Sequence, residues 1–226
     1  MLKLHHLENS QSIRILWLLE ELGTPYEMEM YDRDRPSLLA PERYKQVSPL
    51  GTAPAISDGE VTLAETNAIV DYILDQNAEG AEALRPTPGA PERRPYLFWF
   101  HAAQGSLQPL LTTGFLFNAL KTRAPALVRP LARAILAPLE KLFLNPRLTD
   151  FWNTMDADLA GKTWLAGERF TAADIVMGYC LEMAAGRGLI DNQRWPHVIA
   201  YLQRLKARPA YQRALEKDGK FDPNFA

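Results

Sequence analysis

Residues 5–27, HHLENSQSIRILWLLEELGTPYE, join a short apolar segment, a crowded polar turn and one long helical run. Apolar residues recur at helical spacing over Ser12–Leu22, and Gly23 stands where a left-handed residue ends a helix. Residues 1–7 and the alternating residues 26–31 are typical of strands. A strand, a helix and a strand in about thirty residues predict a βαβ unit with parallel strands and a right-handed crossover.

The start of this helix carries more capping side chains than a helix needs. Asn9, Ser10 and Ser12 all have N-cap character, and one helix uses one N-cap residue. The excess suggests a role beyond capping, but the spacing of the residues does not decide between the two.

A hairpin and a second helix follow the βαβ unit. Residues 53–57 form a short apolar strand, the DG pair at 58–59 is a hairpin turn signal, and residues 61–63 return antiparallel. Residues 65–76 have helical spacing. The order β-α-β, loop, β-hairpin, α predicts an α/β thioredoxin-like domain over residues 1–78.

The rest of the chain has a different composition. Residues 79–95 are rich in proline, glycine, alanine and charge, which predicts a linker. Residues 96–226 carry helical periodicity and no convincing strand, so the second domain should be all-helical. The predicted helices cover residues 96–111, 125–144, 149–160, 171–186, 195–208 and 211–217.

Composition and charge argue against several classes of function. The 226 residues have a net charge of −2 and no long run of one sign, which argues against a general affinity for nucleic acid or membranes. Cys180 is the single cysteine, so no intrachain disulfide forms, and its apolar helix predicts a small core residue. There is no leader pattern and no bilayer-length apolar run, so we expect a cytoplasmic protein.

The histidines give no metal signal. His5, His6, His101 and His197 lack an H-E-x-x-H or Cys/His arrangement, so we expect no metal. His5 and His6 should lie at the end of the first strand, on opposite faces.

Two short motifs have both a structural and a ligand-binding interpretation. In VSPLGTAPAI, a cis Ala53–Pro54 bond would expose the backbone of Ala53 to an extended ligand, whereas an ordinary trans proline would only mark a strand edge. Glu65 and Thr66 open a helix whose dipole favours a carboxylate, although Glu65 could equally serve its own helix end.

A third motif is structural. In LAGERFTAADIVMGY, Thr171 and Asp174 have the spacing of a capping box, and Phe170 is placed to staple the turn to its helix.

Four segments together resemble the glutathione S-transferase superfamily: NSQSIRILWLLEELGTPYE, VSPLGTAPAI, AETNAIVDYIL and WLAGERFTAADIVM. Their order and spacing cover nearly the whole chain. The stretch RPYLFWFHAAQGSLQPLL also resembles the first C-terminal-domain helix of one bacterial and fungal group, so a serine-type or related member is expected.

The resemblance implies a thioredoxin-like domain that binds glutathione and a helical domain that completes an apolar substrate site. Pro54 is similar to the family's cis-proline, with Ala53 as backbone clamp. Glu65 and Thr66 look like the acidic and hydroxyl pair at the γ-glutamyl group, with Thr in place of the commoner Ser. Asp174 looks like the structural capping aspartate.

The resemblance also gives the crowded helix start a role, because the family activates the glutathione thiol with a residue near this point. No Tyr or Cys lies between residues 5 and 14, which argues against thiol–disulfide exchange through a mixed disulfide. We predict Ser10 as the thiol-activating residue, with Asn9 and Ser12 as alternatives.

The expected activity is conjugation of glutathione to small apolar electrophiles by a homodimer. The alternatives are peroxide reduction with glutathione, or a glutathione-binding module with little turnover. Tyr96, Trp99, Phe100 and Gln104 are candidates for the wall of the electrophile pocket, and they fit an interdomain core about equally well.

Overall fold

The computed structural model describes residues 1–35, 37–48 and 50–223, except for the side chains of residues 78 and 79. Its N-terminal part is built from β1 (Lys3–Leu7), α1 (Ser12–Leu22), β2 (Glu27–Tyr31), α2 (Glu42–Lys45), β3 (Ala55–Asp58), β4 (Val61–Ala64) and α3 (Thr66–Gln76). The four strands form one sheet in the order β2-β1-β3-β4.

The sheet confirms the predicted topology. Strands β1 and β2 are parallel, with Leu7 opposite Tyr31, and α1 makes the crossover between them. Strand β3 runs antiparallel to β1, with His5 opposite Ala55. Gly23 ends α1 in the left-handed conformation, at a φ of 62°, as its position in the sequence predicts.

The hairpin between β3 and β4 is displaced by one residue from the prediction. Asp58 is paired with Val61 as the last residue of β3, so Gly59 and Glu60 form the two-residue loop. Gly59 has a φ of 59°, which is the conformation that a tight hairpin needs.

The predicted linker is partly helical. Helix α4 (Ala78–Leu84) occupies its first half, because Ala81 and Leu84 bury their side chains in the core, and α5 (Arg93–Ala102) begins before its end. The remaining helices are α6 (Gln108–Arg123), α7 (Arg129–Leu139), α8 (Asn145–Leu159), α9 (Ala172–Gly186), α10 (Pro196–Lys206) and α11 (Pro209–Asp218).

Two π-helical turns explain why some helix boundaries differ from those predicted from the helical period. Ala103–Leu107 joins α5 to α6, and Glu140–Leu144 joins α7 to α8. Each adds residues to a turn and so shifts the apolar face of the helix that follows. The predicted helix over 125–144 is therefore α7 plus a π turn, and α6 was not predicted past residue 111. Within the described ranges, no helix has the length and apolarity required to cross a bilayer.

A single large core runs through both domains, and α1 lies at its centre. Every residue over Ser12–Glu20 is buried, because β1 and α3 cover one side of α1 while α9 and α11 cover the other. Trp17 of α1 packs on Gly178 of α9, where an added Cβ would come within 2.6 Å of the Trp17 ring. Glycine at 178 thus sets how closely the two domains approach.

Asp174 holds the start of α9 from a fully buried position. With Thr171 it forms the capping box, and its carboxylate accepts hydrogen bonds from the Thr171 N–H (2.8 Å), the Leu165 N–H (3.0 Å) and the Tyr201 hydroxyl (2.7 Å). Burial raises the pKa of this carboxyl, while these hydrogen bonds act in the opposite direction.

We expect Asp174→Ala to lower the free energy of unfolding by about 3 kcal/mol or more. It leaves several buried donors unpaired, at about 1–3 kcal/mol each. Denaturant unfolding measures the loss, and Asp150→Ala, at an exposed residue on α8, is the control. A loss below about 1 kcal/mol would contradict a structural role for Asp174.

Candidate active site at the start of helix α1

The turn before α1 is closed by two serine hydroxyls. Ser10 Oγ donates to the Leu7 carbonyl at 2.7 Å and accepts the Ser12 N–H at 3.2 Å. The Ser12 hydroxyl lies 2.7 Å from Ser10 Oγ and 3.3 Å from both the N–H and the carbonyl oxygen of Leu7. Ser10 is 6 % exposed and Ser12 is fully buried. Both hydroxyls therefore have partners inside the protein.

The same network extends to the far end of the chain. Ser12 Oγ lies 3.1 Å from Nδ1 of His6, and Nε2 of His6 is hydrogen-bonded to Asp218 Oδ1. His6 is fully buried and Asp218 is 3 % exposed. His5, the neighbouring histidine, instead contacts Tyr31 and Ser57 through its two ring nitrogens.

Asn9 is the one of the three candidates that borders a cavity. Its backbone is left-handed, with a φ of 46°, and its Oδ1 accepts the Asp222 N–H at 2.6 Å. Arg33 fixes this turn, because its guanidinium donates to the carbonyl oxygens of Glu8 (2.8 Å) and Asn9 (3.1 Å).

The cavity beside Asn9 has a volume of about 220 Å³ and lies between the two domains. The residues around it are Asn9, Arg33, Leu38, Phe115, Tyr179, Met183, Arg187, Phe221 and Asp222. Aromatic and aliphatic walls with a few cationic groups suit a ligand that is apolar in part and negatively charged in part.

The surroundings of the helix start are electropositive. Burial lowers the pKa of Arg33 and of Arg187, as expected for cations moved partly out of water. Arg14, one turn into α1, is fully buried and donates to Cys180 Sγ at 2.9 Å and to Gln108 Oε1 at 3.2 Å. Among the described residues, no carboxylate forms an ion pair with Arg14. An anion at the helix start would therefore gain from these charges as well as from the dipole.

Cys180 is the buried core residue that its position predicts. It is a free thiol in α9, and burial raises its pKa.

The Ala53–Pro54 peptide bond is cis. Within the described parts of the chain, neither the N–H nor the C=O of Ala53 has a hydrogen-bond partner. Since His5 lies opposite Ala55 in an antiparallel pair, the residues before Ala55 run alongside Leu7, and Ala53 packs in the cluster that contains Leu7. The unpaired backbone of Ala53 thus lies close to the start of α1.

Glu65 and Thr66 open α3 in an unusual conformation. Glu65, the N-cap residue, is exposed and has a φ of 77°, which is uncommon for a residue with a side chain. Thr66 is 1 % exposed, and its hydroxyl has no partner among the residues that the structure describes. A buried hydroxyl without a partner costs stability, which points to a ligand that supplies one.

The aromatic residues predicted for the pocket wall lie away from the cavity beside Asn9, although Tyr96 and Phe100 border one other surface cavity and Trp99 a second. Tyr96, Trp99 and Phe100 are at most 2 % exposed and belong to the core that joins the domains, and Trp99 Nε1 donates to Asp158. The Gln104 side-chain oxygen is buried without a partner among the described residues. None of the four borders the cavity beside Asn9, so the packing favours the interdomain-core interpretation.

Sequence reasoning missed the residues that come from distant helices. Phe115 of α6 and Tyr179 of α9 reach the cavity only after the domains pack, and Asp218 is separated from His6 by 212 positions. One local signal for a site in this region is Arg14, because it is a charged residue on the buried and mostly apolar surface of α1.

Comparison with known proteins gives one consistent family. The sequence models of the glutathione S-transferase N-terminal and C-terminal domains match residues 10–76 and 139–209. Glutathione S-transferase 3 of Schizosaccharomyces pombe is 31% identical over 96% of this chain and 88% of its own length.

Solved structures agree with the sequence matches. A glutathione S-transferase from Actinobacillus pleuropneumoniae is 30% identical, with a TM-score of 0.79 over 100% of this chain and 97% of its own. A sphingomonad glutathione S-transferase complexed with glutathione is 27% identical, with a TM-score of 0.70 over 96% and 98%. With both domain models, a relative of this identity and the same fold, the chain belongs to the glutathione S-transferase family and is a glutathione transferase.

Proposed function

We propose that the protein conjugates the thiolate of glutathione to small apolar electrophiles at the start of helix α1. The observation that carries the proposal is a set of unpaired polar groups, close to that helix start and at the start of α3. These are the backbone of Ala53 and the buried hydroxyl of Thr66, both without partners in the described residues.

The unpaired groups match the two ends of an extended tripeptide. The N–H and C=O of Ala53 would hold the cysteinyl part as an added strand, next to Pro54. The first turn of α3 would hold the γ-glutamyl carboxylate, with the Thr66 hydroxyl and the free N–H groups donating, and Glu65 facing the α-amino group. This arrangement directs the thiol toward Ser10.

Activation of the thiol needs a modest free energy. Lowering a thiol pKa by about two units from about 8.5 requires roughly 2.7 kcal/mol. A hydrogen bond to the charged sulfur supplies about 1.5–3 kcal/mol, and a helix N-terminus about 0.3–2 kcal/mol. Ser10 and the dipole of α1 are sufficient, and Arg14 adds to the same potential.

The electrophile would occupy the cavity beside Asn9, next to the thiolate. Phe115, Tyr179 and Met183 give it apolar walls, which suit the aryl or alkyl body of an electrophile. Nucleophilic attack forms the carbon–sulfur bond and expels the leaving group of the electrophile.

One observation keeps Asn9 as a rival donor. It borders the cavity, whereas the Ser10 hydroxyl is bonded to the Leu7 carbonyl in the free protein. Ser10 can turn toward a ligand because Ser12 Oγ also lies within 3.3 Å of that carbonyl and can replace it as donor.

We also propose a homodimer in the cytoplasm. Leu97, Phe98, Leu142 and Phe143 are exposed apolar side chains, which a second copy would cover. Light scattering at micromolar concentration measures the assembly, and a monomer at all concentrations would overturn this part.

Thr66→Val tests the glutathione site. The change removes a hydroxyl that has no partner in the free protein, so thermal stability should hold or rise slightly, while KM for glutathione rises about tenfold through the lost hydrogen bond. Thr66→Ser keeps a hydroxyl and is the control, with KM near that of the wild type. An unchanged KM in Thr66→Val would remove Thr66 from the site.

Ser10→Ala tests whether Ser10 activates the thiol, and Asn9→Gly tests the rival donor in parallel. Glycine is chosen at position 9 because it tolerates the left-handed backbone there. We expect the thiol pKa of bound glutathione to rise by about one to two units in Ser10→Ala, with turnover near neutral pH lower by about tenfold or more and partly recovered at higher pH. Thiolate absorbance during glutathione titration, followed by turnover with an aryl halide, gives both quantities.

The same assays separate the other functions. A thiolate that forms and turns over an organic peroxide faster than an aryl halide would favour peroxide reduction. Glutathione binding without a thiolate signal or turnover would favour a binding module. A pKa shift in Asn9→Gly alone would make the amide the donor.

A further inference from the structure

A buried chain of four side chains leads from the thiol site to the last helix. Ser10 Oγ, Ser12 Oγ and His6 Nδ1 are spaced at 2.7 and 3.1 Å, and His6 Nε2 is bonded to Asp218. No member is more than 6 % exposed. Two hydroxyls, an imidazole and a carboxylate in one unbroken row form a path along which a proton can pass.

The direction of the hydrogen bonds depends on the proton at His6. When His6 is neutral with its proton on Nε2, Nδ1 accepts from Ser12, and Ser12 in turn can accept from Ser10. When His6 carries both protons, Nδ1 donates to Ser12. The Ser12 hydroxyl is then free to donate to the Leu7 carbonyl in place of Ser10, and the Ser10 proton can point away from the interior.

We propose that the His6–Asp218 pair takes up the proton that glutathione loses, through Ser12 and Ser10. This rests on the proposed function, in which the thiol reaches Ser10. His6, Ser12 and Asp218 act through Ser10 and are positioning residues, while Ser10 alone touches the sulfur.

The proton count balances without any further reactant. The thiol S–H passes its proton to Ser10 Oγ, Ser10 passes its own to Ser12 Oγ, and Ser12 passes its own to His6 Nδ1. One S–H bond breaks and one N–H bond forms. The products are a thiolate that accepts a hydrogen bond from Ser10 and an imidazolium paired with the Asp218 carboxylate.

One carboxylate lies directly against the His6 ring. Its other ring nitrogen faces Asp218, whose pKa is lowered by the hydrogen bond from His6 against the opposing effect of burial. Asp218 also accepts the Lys220 N–H at 3.0 Å, so the carboxylate keeps its charge in a buried place. On the strand side His6 lies opposite the uncharged Met30.

Beyond Asp218, two further titratable groups are Tyr211, which the Asp218 charge influences, and Glu182. Tyr211 donates to Glu182, and burial raises the tyrosine pKa with the negative charges of Glu182 and Asp218 adding to the effect. Tyr211 therefore stays neutral and bonds to Glu182, while Asp218 bonds to His6.

Asp218→Asn is the central variant, because the amide keeps the size and one acceptor oxygen for His6 while it removes the charge. The amide gives up the second acceptor oxygen, which takes the Lys220 N–H. We expect kcat near neutral pH to fall about tenfold and the thiol pKa of bound glutathione to rise by about one unit, with KM for glutathione within about twofold. Ser12→Ala should act in the same direction, and the double variant should lose little more than either single one.

The matched control is Asp32→Asn. Asp32 pairs with Lys220 and ties down the same C-terminal segment without touching the row of side chains. If Asp218 has only a structural role, the melting temperature falls in both variants and the pH profile of kcat stays unchanged. That result would overturn the proposal.

A second measurement needs no variant. Nitrogen-15 spectra of the histidines in the wild-type protein should show His6 gaining a proton at Nδ1 when glutathione is added at neutral pH, with His5 as an unchanged internal reference. If thiolate absorbance appears while the His6 signals stay the same, the relay is wrong and the transferase proposal stands. If no thiolate appears, both are wrong.

Discussion

The packing of helix α1 between the two domains is the constraint on which the rest of the structure depends. Trp17 lies against Gly178 on one side of the domain boundary, and its ring also packs at 4.6 Å from that of Tyr211. A helix covered on all sides cannot shift or rotate without opening a cavity in a close-packed core. Its N-terminus is therefore held at one place, at the junction of the two domains where we propose the ligand site.

Charged groups at the other end of α1 hold the last helix, α11, in a fixed position relative to α1. Arg213 and Lys217 of α11 bond to Glu20 at 3.0 and 2.5 Å, and Arg208 bonds to Glu21 at 2.6 Å. Burial opposes the charge on Glu20, but the bonds from Lys217, Tyr26 and Arg213 lower its pKa overall. Arg213 and Lys217 are half exposed, so their pairs with Glu20 contribute modestly to stability, and Arg208 is less exposed. Their joint effect is geometric, because they set α11 where Asp218 meets His6.

Local rules predicted the N-terminal domain well and the helical domain less well. Gly23 and the parallel strands follow from residues a few positions apart, so their pattern is visible in the sequence. The π turns at residues 103–107 and 140–144 break the helical period, and no residue type marks them. Likewise the family resemblance of short motifs predicts Ala53, Pro54, Glu65 and Thr66 for the proposed site, and that assignment stays a prediction. It missed Phe115, Tyr179 and the His6–Asp218 pair, since long-range packing alone brings them together.

The two halves of the site differ in how their polar groups are satisfied before a ligand arrives. Thr66 and Ala53 have unpaired groups, at a cost of about 1–3 kcal/mol for each that is fully buried, and a ligand that pairs them recovers that cost as affinity. Ser10 and Ser12 are fully paired, so a thiolate gains only the difference between two hydrogen-bonded states. That difference is favourable because the Leu7 carbonyl can change its donor from Ser10 to Ser12. In the proposed mechanism, binding and activation thus belong to separate groups, and a substitution in one need not disturb the other.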